Sequence, residues 1–357
     1  MVRIFVRRTN DVRYFTHDRA RELEGLRDGG PGWWLRGSGD TSHTELVAQV
    51  LTSTSRATVT GYDVVVAAPR PISILVALDP DRASEVIRAH RSSVRAAVQY
   101  LEERALVVPE RRRDETIDRP ARWETIVGFT HGINRQGEPH LHDHVLVGAR
   151  PADAQHVLDG RALFVHAPAA DALYRAALRY ELAERTPWRA WRSFRGVEQV
   201  AGLDEGYRVL WGGHHDERGE KIQWERADVV AHWRDAQRRF ESHGTVPSPT
   251  NKDFDEHAFA GAFEGRIAVA RRHVVTAWSN AAVYGQDPTT ITKAIDQLLP
   301  SLRESRGVRE TTVGVPEVRM VSHVLDHGPR PTRAVELDRW IQRSRERSSG
   351  VDRSRGR

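Results

Sequence analysis

The stretch HGINRQGEPHLHDHVLVG, residues 131–148, contains four of the chain's histidines and decides how the rest is interpreted. Its second half has the apolar pattern of a buried strand, yet His140, His142 and His144 occupy alternate positions in it. Residues two apart in a strand point to the same face of a sheet, so these three imidazoles are predicted to project together. Such an arrangement indicates a shared ligand.

A predicted hairpin brings a further histidine to the same place. Residues 124–131 and 140–148 have strand patterns, and the Gly- and Pro-containing segment between them is typical of a hairpin loop. Antiparallel pairing then sets His131 opposite His142. Three neutral imidazoles suit Zn, Mn, Ni or Cu and leave positions open for a substrate oxygen. The alternative is that these histidines face solvent on an edge strand.

The bulk composition limits the chemistry of the chain. It has 357 residues and no cysteine, so disulfides and thiolate metal sites are excluded. The net charge of +5 favours a polyanionic partner. The N-terminal MVRIFVRRTN lacks a secretory leader and no apolar run could span a bilayer, so we expect a cytoplasmic bacterial protein without membrane insertion.

Strand and helix patterns alternate along the first half of the chain. Residues 2–6 and 61–68 are predicted to be strands, and 82–106 and 167–184 to be long amphipathic helices. Together with the histidine hairpin they predict an α+β fold, in which an antiparallel sheet is flanked by helices. After about residue 190 the patterns weaken, and there is no phosphate-binding GxxxxGK[ST] motif.

The histidine stretch resembles the metal motif of the MobF class of conjugative relaxases, which belong to the HUH superfamily of endonucleases. The family pattern is a histidine, an Asn-Arg pair, Asp-Pro and a His-x-His on a strand. The matching positions are His131, Asn134-Arg135, Glu138-Pro139 and His142-x-His144, with Glu138 in place of the usual aspartate.

Two further segments resemble the same family in the same order. GYDVVVAAPRPISILVAL, residues 61–78, is similar to a strand that runs into a Ser/Pro/Lys-containing turn, with Arg70 in place of the lysine. LDGRALFVHAPAADALYRAALRYELAER, residues 158–185, is similar to the helix that follows the metal strand. The resemblance covers roughly residues 1–190.

The resemblance implies a reaction and the residues that carry it. A tyrosine near the N-terminus attacks a DNA phosphodiester, and Tyr14 is the matching residue. Asp63 would accept the Tyr14 proton or instead orient a metal-bound histidine. Arg70 and Arg135 would contact phosphate, although Arg135 could equally be a loop arginine without a role. His140 would be a further ligand, a group that supports a ligand, or a DNA contact.

The resemblance also implies an organisation, a cofactor and partners. It predicts a relaxase palm with the metal hairpin over 1–194, a less regular fingers-like subdomain that covers DNA over 195–301, and a basic disordered tail over 302–357. The cofactor would be a divalent ion, Mg, Mn or Zn, held by His131 and the strand histidines, with no nucleotide. Partners would be single-stranded DNA at an origin of transfer, accessory DNA-binding proteins and a coupling protein.

Three other functions fit parts of the sequence. An HUH-type rolling-circle replication initiator would use the same chemistry. A catalytically decayed DNA-binding accessory protein would explain the altered turn at Arg70 and Pro71. A metal hydrolase of small substrates would leave Tyr14 without a role.

Overall fold

The fold is described here from a computed structural model. It describes residues 1–8, 33–36, 50, 59–79, 82–113, 115–134, 136–151, 157–193, 195–211, 226–247, 253–319 and 321, with backbone only at 33–36, 112, 226 and 227. Two of the predicted site residues, Tyr14 and Arg135, lie outside these ranges.

A five-stranded antiparallel sheet carries the predicted hairpin. Its strand order is β1-β3-β7-β6-β2, so the histidine strand β7 is in the centre. β7 is longer than its neighbours and its residues alternate between two differently packed faces. The strands of this sheet are β1 Val2–Arg7, β2 Trp33–Arg36, β3 Gly61–Ala67, β6 Ile126–Ile133 and β7 Pro139–Gly148. Three two-stranded sheets complete the strands, formed by β4 Val107–Arg112 with β5 Glu115–Pro120, β8 Ala190–Arg192 with β9 Glu198–Val200, and β10 Ala268–Ala270 with β11 Thr312–Gly314.

Eight helices have both ends within the described parts of the chain, and residues 315–319 are also helical. The long pair α2 and α3 packs together, and α7 packs on α3 in a further layer. They are α1 Arg70–Leu78, α2 Ala83–Ala105, α3 Gly160–Arg185, α4 Glu205–Leu210, α5 Arg226–Arg238, α6 Glu256–Gly261, α7 Arg271–Ala281 and α8 Pro288–Leu298, followed by a 3-10 turn at Pro300–Leu302. The described helices include none with the length and apolarity that a bilayer crossing requires.

The two faces of the sheet serve different purposes. Val64, Val66 and Val145 project toward the α2/α3 layer and are almost fully buried, which forms the main core. His142 and His144 project from the opposite face, because they alternate with these core residues along the strand. The α+β architecture with an antiparallel sheet is therefore confirmed.

Helix α3 begins seven residues before its predicted start. Asp159 caps it by accepting a hydrogen bond from the Arg161 amide. Pro168 lies inside the helix, where it removes a single amide donor. The apolar stripe on both sides of Pro168 packs into the core, which compensates for that loss.

The region after residue 194 packs directly on the core. Arg179 of α3, 1% exposed, pairs with Glu198 at 2.7 Å and donates to the carbonyls of Ser279 and Ala282. The buried ion pair and these hydrogen bonds join α3 to β9 and α7. The division of the chain at 194/195 remains a prediction about function.

The prediction of a disordered tail from residue 302 is wrong for its first part. Residues 312–314 pair with 268–270 as an antiparallel ladder. Val313, Val315 and Val318 are buried against the core. Ordered structure therefore continues to residue 319, and residue 321 is also buried. The rest of the predicted tail lies outside the described residues.

Candidate metal centre

The β6–β7 hairpin brings three imidazoles together. His131 pairs directly with His142 in the ladder, as the sequence predicts, and His144 follows on the same face of β7. One ring nitrogen from each of the three lies within 4.8 Å of the other two. The ring centroids are 5.1 to 5.4 Å apart. Small side-chain rotations would therefore suffice to bring all three to one ion.

Hydrogen bonds fix which nitrogen of two of these rings is available to an ion. The Nδ1–H of His144 donates to the Asp63 carboxylate, with both oxygens at 3.0 Å. The Nδ1–H of His142 donates to the His140 carbonyl at 2.8 Å. In the neutral form of both rings, Nε2 then carries the lone pair. A carboxylate or carbonyl behind a ligand histidine is the usual support of a metal-binding imidazole.

The electrostatics keep His140 and His142 neutral at pH 7. Burial, followed by repulsion from His131 and His140, holds the pKa of His142 well below its ordinary value. Burial, followed by the nearby Arg70 guanidinium and the N-terminal amine, lowers the pKa of His140 to about 4. Neutral imidazole is the form that binds a metal. The donor set, its spacing and the neutral form of His142 all fit a divalent ion that accepts nitrogen ligands.

The hairpin loop below the centre is held by its own side chains. The Asn134 side-chain oxygen accepts from the amides of Gln136 and Glu138 at 3.0 and 2.9 Å. Its amide nitrogen donates to the Glu138 carboxylate at 2.8 Å. Gly137 has φ +76°, a left-handed conformation that glycine adopts without strain. The Asn134 and Glu138-Pro139 parts of the motif thus build a defined turn between the two ligand strands.

Two residues from distant elements hold this loop in place. Arg70, at the start of α1, donates to the Pro139 carbonyl at 2.7 Å and lies 3.8 Å from the Glu138 carboxylate. Trp233 of α5, 1% exposed, donates from Nε1 to the Gly137 carbonyl at 2.8 Å. Trp233 was not among the predicted site residues, because no pattern around it connects it with residue 137. The only feature of the sequence that could have identified Trp233 is its position as a tryptophan on the apolar face of a predicted helix.

The predicted site residues now have assigned places. Asp63 contacts His144, which is the second of the two arrangements expected for it. The first arrangement, a contact with Tyr14, is not tested, because Tyr14 lies outside the described residues. His140 lies beside His142, with ring centroids 4.7 Å apart. Arg70 is engaged by the hairpin loop, so a phosphate would have to compete with Glu138 and Pro139 for it.

A buried polar group supports the same strand from the other side. Asp143 lies between the two strand ligands but faces the helices, where its Oδ1 is 3.4 Å from His90 Nε2. His90 Nδ1 shares a hydrogen bond of 2.8 Å with the Tyr174 hydroxyl. The side chains of Asp143 and His90 are fully buried, so this group joins β7 to α2 and α3 and is closed to substrate.

Comparison with known proteins places this centre in a family. The TrwC relaxase family model matches residues 13–243, which include the hairpin and the position of Tyr14. The chain belongs to the TrwC relaxase family. A sequence search among curated proteins finds no match.

Solved structures of the TrwC relaxase share this fold. One is TrwC with a 27-mer DNA that comprises the recognition hairpin and the cleavage site, with TM-score 0.51 and 17% identity. Another is TrwC with oriT DNA in a copper-bound form, with TM-score 0.54 and 17% identity. Each match covers 67% of this chain and 98% of the TrwC chain. At this identity the likeness establishes the fold of the TrwC-family domain.

Proposed function

We propose that this TrwC-family chain is a metal-dependent DNA strand transferase that nicks one strand at an origin of transfer. The observation that carries the proposal is the convergence of His131, His142 and His144, each on the hairpin that the family motif specifies. Membership of the relaxase family and the oriT DNA in the related structures support DNA as the substrate. Accessory DNA-binding proteins and a coupling protein are further proposed partners.

Tyr14 is the proposed nucleophile. Its phenolic oxygen would attack the scissile phosphorus, forming a P–O bond to tyrosine while the P–O3′ bond breaks. The 5′ phosphate remains esterified to Tyr14, and the phenolic proton is balanced by the proton that the departing 3′ oxygen gains. One phosphodiester replaces another, so the exchange is reversible and needs no ATP.

The protein's other residues would prepare the site for that exchange. His131, His142 and His144 would hold a divalent cation, Mg, Mn or Zn, which supplies positive charge to a scissile phosphate. Asp63 would fix the His144 ring in the orientation that presents Nε2. Arg135, and Arg70 if it leaves the loop, would add positive charge near the phosphate, and His140 would contribute a neutral ring beside the ligands.

The nucleophile is tested with Tyr14→Phe. Labelled single-stranded oligonucleotides from the origin of transfer are incubated with the protein and Mn or Mg, and adducts are resolved under denaturing conditions. We expect the parent to form a covalent adduct and Tyr14→Phe to lose it while binding the oligonucleotide with unchanged affinity. Tyr62→Phe is the matched control, because Tyr62 is buried in β3. An adduct of normal yield from Tyr14→Phe would remove Tyr14 from this role.

The same assay separates the competing functions. EDTA and His142→Ala should both abolish the adduct, and a divalent ion should restore it only in the EDTA-treated parent. A decayed DNA-binding protein would bind the oligonucleotide and never form an adduct. A replication initiator would cut a replication origin in preference to a transfer origin, which parallel substrates reveal.

A further inference from the structure

A second site candidate is a cavity of about 550 Å³ among the helices. It is enclosed by α3, the β8–β9 turn, α6 and α7. The helix layer that contains α3 packs on the core face of the sheet, whereas the histidines project from the other face. None of the lining residues belongs to the histidine hairpin. The cavity is therefore separate from the candidate metal centre.

The lining of this cavity is strongly cationic. Four arginines contribute to it, together with one carboxylate, Asp255. That carboxylate is already used, because its Oδ1 accepts from the Ala258 amide and caps α6. The four arginines are Arg192, Arg195, Arg266 and Arg272.

The neighbouring carboxylates compensate only part of this charge. Glu198 lies 2.7 Å from Arg179 and 3.9 Å from Arg192, so one carboxylate serves two guanidinium groups. Arg272 is paired with Glu310. Arg266 is exposed and makes no ion pair with any residue in the described ranges. Arg266 therefore adds a positive charge to the lining that no described carboxylate offsets.

Hydrogen-bonding groups stand beside the arginines. Burial, followed by Arg272 and Arg266, lowers the pKa of His273 to about 4, so this ring is neutral at pH 7. Its Nδ1 accepts from the Ala270 amide, which leaves the proton on Nε2 as a donor. Asn280 and Ser193 also line the cavity. Donors of this kind, next to guanidinium groups, match the oxygens of a phosphate.

The cavity also has apolar lining and room for more than an inorganic ion. Val165, Ala169 and Val283 line it with further alanines of α6 and α7. A volume of this size is in the range of small-molecule sites, roughly 300–1,000 Å³. A ligand that fits this lining carries a phosphate and a body with apolar surface.

We propose that this cavity binds a nucleotide through its phosphate, held by Arg195, Arg266 and Arg272, with the base against the apolar side chains of Val165 and Ala169. The nucleotide comes either from a DNA strand that continues beyond the metal centre or from the free nucleotide pool. The first source rests on the proposed DNA-processing function, and the second does not.

The test uses the double variant Arg195→Ala/Arg266→Ala of the full chain. Both side chains are exposed, so their removal leaves the core intact. Arg82→Ala/Arg303→Ala is the matched control, because it removes two exposed arginines that do not line the cavity. The probes are a fluorescein-labelled oligothymidylate and the fluorescent nucleotide mant-ATP, both with EDTA present. Fluorescence anisotropy is measured over a series of NaCl concentrations.

A DNA source predicts that the cavity variant binds the oligothymidylate about tenfold more weakly than the control variant. The slope of log affinity against log salt should fall by about 0.7 for each phosphate contact removed. A free-nucleotide source predicts that mant-ATP binds the parent and the control but not the cavity variant. Arg266→Lys, which keeps the charge, should recover part of the lost affinity for whichever probe is affected.

Equal affinities of the cavity and control variants for both probes would overturn the inference, as would a parent that binds neither probe. The nicking assay is independent of this result. A parent that binds oligothymidylate through the cavity but forms no Tyr14 adduct would refute the proposed function and leave the cavity assignment standing.

Discussion

At the scale of single residues, the candidate centre depends on groups other than the three imidazoles that would hold the ion. Asp63 and the His140 carbonyl each occupy the Nδ1–H of a ligand ring. An imidazole without such a partner can rotate or present the wrong tautomer, so these contacts orient the donor atoms before an ion arrives. They also explain why the aspartate lies on β3, diagonal to the histidine it supports in the ladder.

Replacing Asp63 by Ala should weaken metal binding without unfolding the chain. Loss of such a supporting carboxylate lowers metal affinity about 10- to 100-fold. Asp63→Asn keeps an acceptor for the His144 Nδ1–H, so its metal affinity should lie between those of Asp63→Ala and the parent. Isothermal titration with Zn or Mn measures both variants.

The control for this series is Asp79→Ala, at the end of α1 and away from the hairpin. It should bind metal like the parent. Equal affinities of Asp63→Ala and Asp79→Ala would show that the Asp63–His144 contact does not position the ligand.

At the scale of elements, the β6–β7 hairpin is the part of the site most readily predicted from sequence. Period-two alternation and the Gly/Pro loop predict the two strands, and the ladder confirms His131 opposite His142. The clamps from Arg70 and Trp233 could not be predicted in this way. They join residues 69 and 96 positions apart, and a hydrogen bond to a backbone carbonyl leaves no residue pattern at the accepting position.

Asn134→Ala should loosen this hairpin and weaken the metal centre at the same time. The side chain makes three hydrogen bonds inside the loop. Each is worth roughly 0.5–1.5 kcal/mol, so the variant should lose about 2 kcal/mol of unfolding free energy. Metal affinity should fall too, because the loop sets the register that faces His131 to His142. Urea unfolding and metal titration measure the two effects.

Asp287→Ala separates the local effect from general destabilisation. Asp287 caps the remote helix α8 by accepting from the Thr290 amide. Its removal should lower stability by about 1 kcal/mol and leave metal affinity unchanged. If both variants lowered metal affinity in proportion to their stability, the Asn134 loop would have no specific role in the centre.

At the scale of the whole molecule, the layered fold follows from patterns that extend over many residues. Four of the five strands of the sheet, β1, β3, β6 and β7, and the helix α2 were predictable because their apolar residues recur with a clear period, whereas β2 was not predicted. The segment from 302 to 321 was not, because its five valines are interrupted by four arginines and three glutamates and follow no regular period. A few valines spaced along it, Val313, Val315 and Val318, suffice to bury it against a preformed surface. These few contacts depend on the surface on which the segment packs. That surface is formed by residues distant in the sequence, so the local sequence does not predict it.

One buried histidine joins this late segment to the centre of the fold. His166 of α3 donates from Nε2 to the Gly307 carbonyl at 2.9 Å. Its Nδ1 accepts from the Tyr100 hydroxyl of α2 at 3.1 Å. The ring is fully buried and both nitrogens are satisfied only in the neutral form. Protonation would remove the acceptor that Tyr100 uses.

This arrangement makes the stability of the molecule depend on pH through His166. Burial lowers the pKa of His166 to about 4, against about 6.5 in an unfolded chain. The unfolded state therefore takes up the proton first as the pH falls. The contribution of His166 is complete above about pH 6.5 and declines toward pH 4, where the loss reaches about 3 kcal/mol.

In urea unfolding followed by tryptophan fluorescence, His166→Gln should be less stable than the parent at neutral pH but lose correspondingly less stability on acidification. The exposed-residue control His257→Gln should keep the parent's full acid dependence. A His166→Gln chain that lost as much stability as the parent between neutral and acid pH would assign the acid sensitivity to another group.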